Sequence, residues 1–138
     1  MTPPFIGAEA ERHLDWVRVA RAIEAGHALP RPRMQDVLLR RGGDTLLNRS
    51  AWIDGLGLAV KVCTIYPDNR EAPTIQGAVN LLSDADGSLE AVLDFRLVTK
   101  WKTAGDSLLG ALRLARPESR EVLVLGAGTV ARSLVAAY

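Results

Sequence analysis

Two groups of residues in this 138-residue chain are of types and spacings that do chemistry. The first is Gly126-Ala127-Gly128-Thr129-Val130-Ala131, a G-x-G-x-x-A element directly after the apolar run VLVL. In such an element the first glycine permits a tight strand-to-helix turn and the second lets backbone N–H groups approach a pyrophosphate. A small third residue lets the helix pack on the strand. A strand before and a helix after give this short motif its weight and point to a dinucleotide; the plainer alternative is a tight turn with no ligand. The second group centres on Lys61, the one charge in GLAVKVCTI. A charge inside such a strand either reaches solvent or has a partner. Lysine is scarce here, with fourteen arginines against Lys61, Lys100 and Lys102. A buried lysine, unlike an arginine, gives up its proton readily, which suits acid–base work at Lys61. An outward-facing lysine on a half-exposed strand is the competing reading.

Other residues exclude more than they offer. Cys63, the single cysteine, forms no internal disulfide and no thiolate cluster; two positions after Lys61, it reads as a buried structural thiol. No metal site is expected: the DADG run at Asp84–Gly87 lacks the later ligands of a calcium loop. His13 and His27 lie far from every motif. Apolar residues make up 48% and charged residues 24%, with a formal charge of +1, so the chain reads as one globular domain's worth of sequence. That balance argues against a nucleic-acid partner. No apolar run approaches the ~18 residues of a membrane helix, and the start, MTPPFIGAEAER, has no secretory pattern. The expected location is cytoplasmic.

The elements that must position these residues follow from periodicity and turn signals. Helical spacing runs from Glu9 to about Leu29, and the prolines of LPRPR end it. MQDVLLR and TLLNRSAWI form a hairpin about Gly42-Gly43, Asp54-Gly55 turns into GLAVKVCTI, and a long loop follows. TIQGAVNLLSDADGSLEAVLDF is a second hairpin with Gly87 in its turn, and Thr99 to about Ala115 is a helix closed by Pro117. The sum through residue 116 is an α+β block with an antiparallel or mixed sheet and flanking helices. After it, EVLVLGAGTVARSLVAAY reads as a short buried strand, a glycine turn and a helix start, the first β-α of a Rossmann domain. A complete unit needs at least ~30 residues and an acidic residue further on, so the chain is expected to be the front of a longer protein.

The runs LAVKVCTIYPDN, PTIQGAVNLLSDADGSLEAVLDF and VTKWKTAGDSLLGALRLARPESREVLVLGAGTVARSL resemble the ornithine cyclodeaminase/mu-crystallin family. The family's motifs come in the same order: a strand lysine, a hairpin ending in DG, an L-T-x-x-R-T-A-A helix start and a G-A-G-x-Q-A cofactor turn. The resemblance implies a substrate-binding and dimerisation domain at 1–116 and, at 117–138, the start of a domain that binds NAD or NADP. It further implies that Arg33, 28 positions before Lys61, grips the substrate carboxylate, with Arg31 and Arg49 as alternates. Lys61 is then both a substrate contact and the catalytic proton-transfer residue. Lys102 stands where the family has a second carboxylate-binding arginine, and it neutralises charge only as a point. Thr74 and Thr103 match threonines that reach the cofactor, while Gly126, Gly128 and Thr129 keep the backbone cradle. Val130 replaces the usual glutamine. The family's catalytic aspartate has no counterpart in these residues.

The resemblance thus implies an NAD(P)-dependent oxidoreductase or cyclodeaminase-like enzyme acting on a small amino or imino acid. A ketimine reductase or an amino-acid dehydrogenase fits, present as a fragment that is inactive alone. It implies a homodimer through the sheet, with neither membrane nor nucleic acid as partner. The alternative is a non-catalytic NADPH- and small-molecule-binding or dimerisation module of the mu-crystallin type.

Overall fold

The apolar and alternating runs of the first half build one six-stranded sheet, seen in a computed structural model that describes residues 2–138. Its strands are β1 (Phe5–Ile6), β2 (Arg33–Arg41), β3 (Asp44–Ile53), β4 (Gly57–Ile65), β5 (Ile75–Leu82) and β6 (Leu89–Asp94). β2 to β6 pair antiparallel in succession, and β1 adds in parallel beyond β6, giving the order β1-β6-β5-β4-β3-β2. The expected hairpins are present, and the turn glycines Gly42 and Gly87 have φ of 58° and 72°. β1, two residues long, is too short to carry a periodicity. The β5–β6 turn is tied back by Asp84, whose carboxylate accepts the Trp52 indole N–H at 2.6 Å and the Gly55 N–H at 2.7 Å. These two bonds hold the Asp84 carboxyl below the usual carboxylate range.

Side chains alternate along a strand, so register sorts residues between two faces. Asp36, Arg49, Lys61, Val79 and Leu93 stand opposite one another in successive strands and share one face. That face carries the buried Cys63, Val79 and Ala91. Arg33, Trp52, Leu58 and Leu82 form a row on the other face.

The described residues fall into two compact units. The sheet belongs to the one that joins residues up to Ala10 with Pro30–Val98; Glu11–Leu29 and Thr99–Tyr138 make the other, which is helical. The helical spacing expected from Glu9 is divided in two, a 3-10 helix at Ala8–His13 and α1 at Trp16–His27. Asp15 makes the break: its extended backbone and its carboxylate, which accepts the Arg18 N–H at 2.9 Å, cap α1. α2 (Phe95–Leu114) begins four residues before the expected Thr99, because the Asp94 carboxylate accepts the Leu97 N–H at 2.8 Å and starts the helix there. In the helical unit Trp16 stacks on Trp101 with centroids 3.8 Å apart, Lys100 bonds Glu11 at 2.7 Å, and Arg113 pairs with Glu24. Ala20 and Ala104 are fully buried there.

One expectation is corrected. Val122–Leu125 is not a buried strand: it joins no ladder, and Leu123 and Leu125 are 85% and 87% exposed. A parallel strand is held by neighbours on its flanks, and among the described residues none pairs with this one. The helix after it, α3 (Thr129–Ala137), does form.

Candidate functional site

The glycine turn precedes α3 as its composition requires. Gly126 has φ of 111°, a region that side-chain-bearing residues rarely enter. Gly128 caps α3 with extended backbone and provides no side-chain bond to its first turn. The first-turn N–H groups therefore stay available, at the positive end of the helix dipole. No atom lies within 4 Å of where a Cβ would sit on Gly126 or Gly128, so both backbones are open to approach. The turn borders a cavity of about 520 Å³, whose wall includes Thr129, Val130, Leu125, Leu134, Ser107 and Tyr138. The Tyr138 hydroxyl, 3.0 Å from Ser107 Oγ and donating to the Ser107 carbonyl at 3.1 Å, ties the end of α3 to α2. This donor set fits an anionic ligand such as a pyrophosphate.

Lys61 lies mid-strand on β4 and is half-buried. Its Nζ is 5.6 Å from the centroid of the Phe95 ring, a cation–π position, and no carboxylate bonds it among the described residues. Next to it in the row, Arg49 bonds Asp36 with both arms of its fork, Nε at 2.8 Å and Nη2 at 2.5 Å. Those bonds hold the Asp36 carboxyl below its usual range, with the charges of Arg49 and Lys61 adding to the effect. The same pairing raises the Arg49 guanidinium.

The remaining expected site residues are dispersed. Arg33 is on the face opposite Lys61; it pairs with Asp54 at 3.3 Å and lies 5.9 Å from the Trp52 ring centroid, largely exposed. Thr74 precedes β5, exposed, and its carbonyl accepts the Tyr66 N–H at 2.8 Å to close the β4–β5 loop. Lys102 and Thr103 are exposed on α2, where Lys102 pairs with Asp106, one turn on, at 2.6 Å. The structure thus gathers Gly126, Gly128, Thr129 and Val130 around one cavity, and sets Lys61 beside Arg49 and Asp36. Asp36, Phe95, Ser107 and Tyr138 were not visible as site neighbours in the sequence. Asp36 had a signal, since its place in the row follows from the lengths of two turns; the other three depend on tertiary packing.

Residues 21–138 match the ornithine cyclodeaminase/mu-crystallin family. The chain is 47% identical over 139 residues to a Delta(1)-pyrroline-2-carboxylate reductase of Paracoccus denitrificans, covering 99% of this chain and 44% of that protein. Among solved structures, an archaeal alanine dehydrogenase dimer with bound NAD superposes with a TM-score of 0.87 at 25% identity, over 99% of this chain and 45% of that one. A probable ornithine cyclodeaminase from Bordetella pertussis superposes with a TM-score of 0.80 at 28% identity, over 99% of this chain and 44% of that one. The chain therefore spans less than half the length of these relatives.

Proposed function

Because this chain belongs to the ornithine cyclodeaminase/mu-crystallin family, we propose that it supplies the substrate-binding part, residues 1–116, and the start of the dinucleotide-binding part, residues 117–138, of an NAD(P)-dependent oxidoreductase for a small amino or imino acid. The observation that carries this reading is the N-terminus of α3, capped by Gly128 with no side-chain bond, behind the left-handed Gly126 and opening on a cavity. The Gly126–Thr129 backbone would hold the pyrophosphate of NAD or NADP, whose nicotinamide supplies or accepts a hydride. Val130 lines the same cavity, and Thr74 and Thr103 are assigned to the cofactor from the resemblance.

Lys61 is the proton-transfer residue in this reading. Its ammonium, held over Phe95 on an otherwise apolar strand, donates to the imine nitrogen of the substrate or recovers the proton in reverse. Lys102 is assigned to the substrate carboxylate from the resemblance alone, as a point charge. Arg33 is left out of the set, since it faces away from Lys61. The name of the Paracoccus relative favours a cyclic ketimine such as Δ1-pyrroline-2-carboxylate as substrate. We further propose a cytoplasmic homodimer formed through the sheet, supported by the exposed apolar Met34, Val37, Leu38 and Leu39 on β2 and by the dimeric archaeal neighbour.

The test is consumption of NADH or NADPH by the complete gene product with Δ1-pyrroline-2-carboxylate and a panel of linear imino acids. Turnover that is lost with Lys61→Met and starved of cofactor affinity by Gly126→Val supports the reading. Cofactor binding without hydride transfer to any of these acids turns it toward a binding protein.

A further inference from the structure

We infer that the side of α3 turned toward Trp101 carries an anion site for the phosphate group of a small molecule, in which the Trp101 indole N–H and the Arg132 guanidinium take the phosphate oxygens beside Lys100. The site is separate from the dinucleotide cradle proposed above and does not depend on it. Three observations support it.

The first is an orphaned donor. The Trp101 indole nitrogen is shielded from solvent and has no hydrogen-bond partner among the described residues. An indole N–H can only donate, so burial without an acceptor costs its hydration and returns nothing. Trp52 shows the ordinary solution, its indole N–H being bonded to Asp84 at 2.6 Å. The stack of Trp101 on Trp16, with centroids 3.8 Å apart, fixes the ring against turning to find a partner elsewhere.

The second is the cavity that Trp101 borders. It measures about 370 Å³, within the range of small-molecule sites, and its wall includes Lys100, Thr129, Arg132 and Ser133. Two of these are cations and no acid lines it. Lys100 gives one N–H to Glu11 at 2.7 Å and lies 5.7 Å from the Trp101 ring centroid, which leaves two of its donors unspent. Arg132 bonds no carboxylate among the described residues. The buried Ser133 hydroxyl is already spent on the Thr129 carbonyl at 2.9 Å. A water would satisfy the indole but bring no charge to the two cations; an oxyanion does both. A carboxylate has two oxygens, which one guanidinium fork fills. Donors from three side chains on two helices suit a phosphate, with three acceptor oxygens to share among them.

The third is placement. With 3.6 residues per turn, a helix shows different residues to its different sides. Arg132, Ser133 and Ala136 border this cavity, whereas Val130, Leu134 and Tyr138 border the one at the glycine turn; Thr129 alone borders both. Gly126 and Gly128 take no part in the cavity at Trp101. A pyrophosphate held by the glycine turn therefore leaves the Trp101 indole unanswered, and a different anion is needed to pair it.

The experiment is a titration of inorganic phosphate, with acetate at matched ionic strength as the control anion, into the complete gene product carrying isotope-labelled tryptophan. The indole N–H resonances are followed by NMR, and affinity is read by calorimetry. The expected result is a saturable shift of the Trp101 resonance with phosphate and none with acetate, while Trp52, already held by Asp84, stays in place. Arg132→Gln weakens phosphate binding at least tenfold and Arg132→Lys recovers part of the loss, whereas Arg70→Gln, a change of an exposed cation in the β4–β5 loop, has no effect. Trp101→Phe, which keeps an aromatic ring against Trp16 and removes the N–H, weakens binding severalfold. Gly126→Val, which alters the dinucleotide cradle, leaves the Trp101 response as it is in the wild type. A Trp101 resonance that stays in place, drifts without saturating or follows acetate equally overturns the inference, as does wild-type affinity in Arg132→Gln. Loss of the response in Gly126→Val assigns the phosphate to the cradle and also overturns it. Failure of NADH and NADPH to bind refutes the proposed function and leaves this readout intact.

Discussion

Replacing Gly105 by alanine should destabilise the helical unit, whereas the same substitution at Gly110, in the same helix, should stabilise it. Alanine in a helix interior is favoured over glycine by roughly 0.5–1 kcal/mol, so propensity alone predicts a gain at both positions. The surroundings differ. A Cβ on Gly110 meets nothing within 4 Å, but one on Gly105 would lie 2.6 Å from Cγ1 of Val19 on α1 and 3.4 Å from Cδ1 of Ile23. A carbon–carbon contact relaxes only near ~3.5–4 Å, so Val19 must retreat by about 1 Å from a buried interface. Overpacking of that kind costs roughly 1–3 kcal/mol. Set against the propensity gain, Gly105→Ala should cost about 0–2.5 kcal/mol, centred near ~1 kcal/mol, a fall in Tm of a few degrees for a chain of this size. Urea unfolding followed by far-UV circular dichroism reads both changes. Val19→Ala supplies the internal control: it removes the offending methyl and leaves the old Cβ position 3.6 Å away, an ordinary contact. In that background Gly105→Ala should become neutral or stabilising, with a coupling of about 1–3 kcal/mol. Equal stabilisation at Gly105 and Gly110, or no coupling with Val19, would refute the packing argument.

Three further outcomes are expected. Asp15→Ala should cost about 1 kcal/mol through the lost cap of α1, and amide exchange should rise in the first turn, at Arg18 above all; unchanged exchange there would count against the cap. The Asp84 carboxyl is depressed in the folded state, so its stabilising bonds to Trp52 and Gly55 are fully present above the usual carboxylate range near ~3.9 and are lost as pH falls through its lower folded value. The Trp52 indole N–H resonance should accordingly stay bonded at pH 4 and shift only below it, and a transition centred at the ordinary value would contradict the assignment. Lys102→Met should change stability by no more than ~0.5 kcal/mol, since its pair with Asp106 is an exposed contact one turn apart, while raising KM for the amino or imino acid; an unchanged KM would remove Lys102 from the proposed site.

Much of the sheet was legible because its signals are local. GLAVKVCTI is β4 from end to end, and the hairpins turn where Gly42 and Gly87 permit a positive φ. The face on which a residue emerges was not legible from spacing along the chain. Arg33 and Lys61 are 28 positions apart in sequence, but two turns intervene, Gly42-Gly43 and the three residues between Ile53 and Gly57. Each turn's length decides which residues stand opposite one another, and here it leaves Arg33 in the row of Leu58, an odd number of positions from Lys61. The caps Asp15 and Asp94 show the opposite situation. Both are aspartates just ahead of helical runs, a signal that was available but outweighed by the apolar periodicity on either side. Val122–Leu125 reads as a strand by composition, yet composition does not supply the neighbours that a strand needs.

The exposed edge strand β2 also bears on how this chain survives its own synthesis. A nine-residue edge with Met34, Val37, Leu38 and Leu39 in the open offers unpaired backbone groups and apolar side chains to any other strand that meets it, the ordinary starting point of intermolecular β-sheet growth. The same strand has Arg33 at one end and Arg40-Arg41 at the other. Stacking identical copies in register would bring these guanidiniums against one another at each step, a repulsion that ordered pairing with a fitted partner avoids. The arginines thus act as gatekeepers. Uncharged replacements there should leave the folded chain largely intact while shifting newly made protein from the soluble fraction to the pellet.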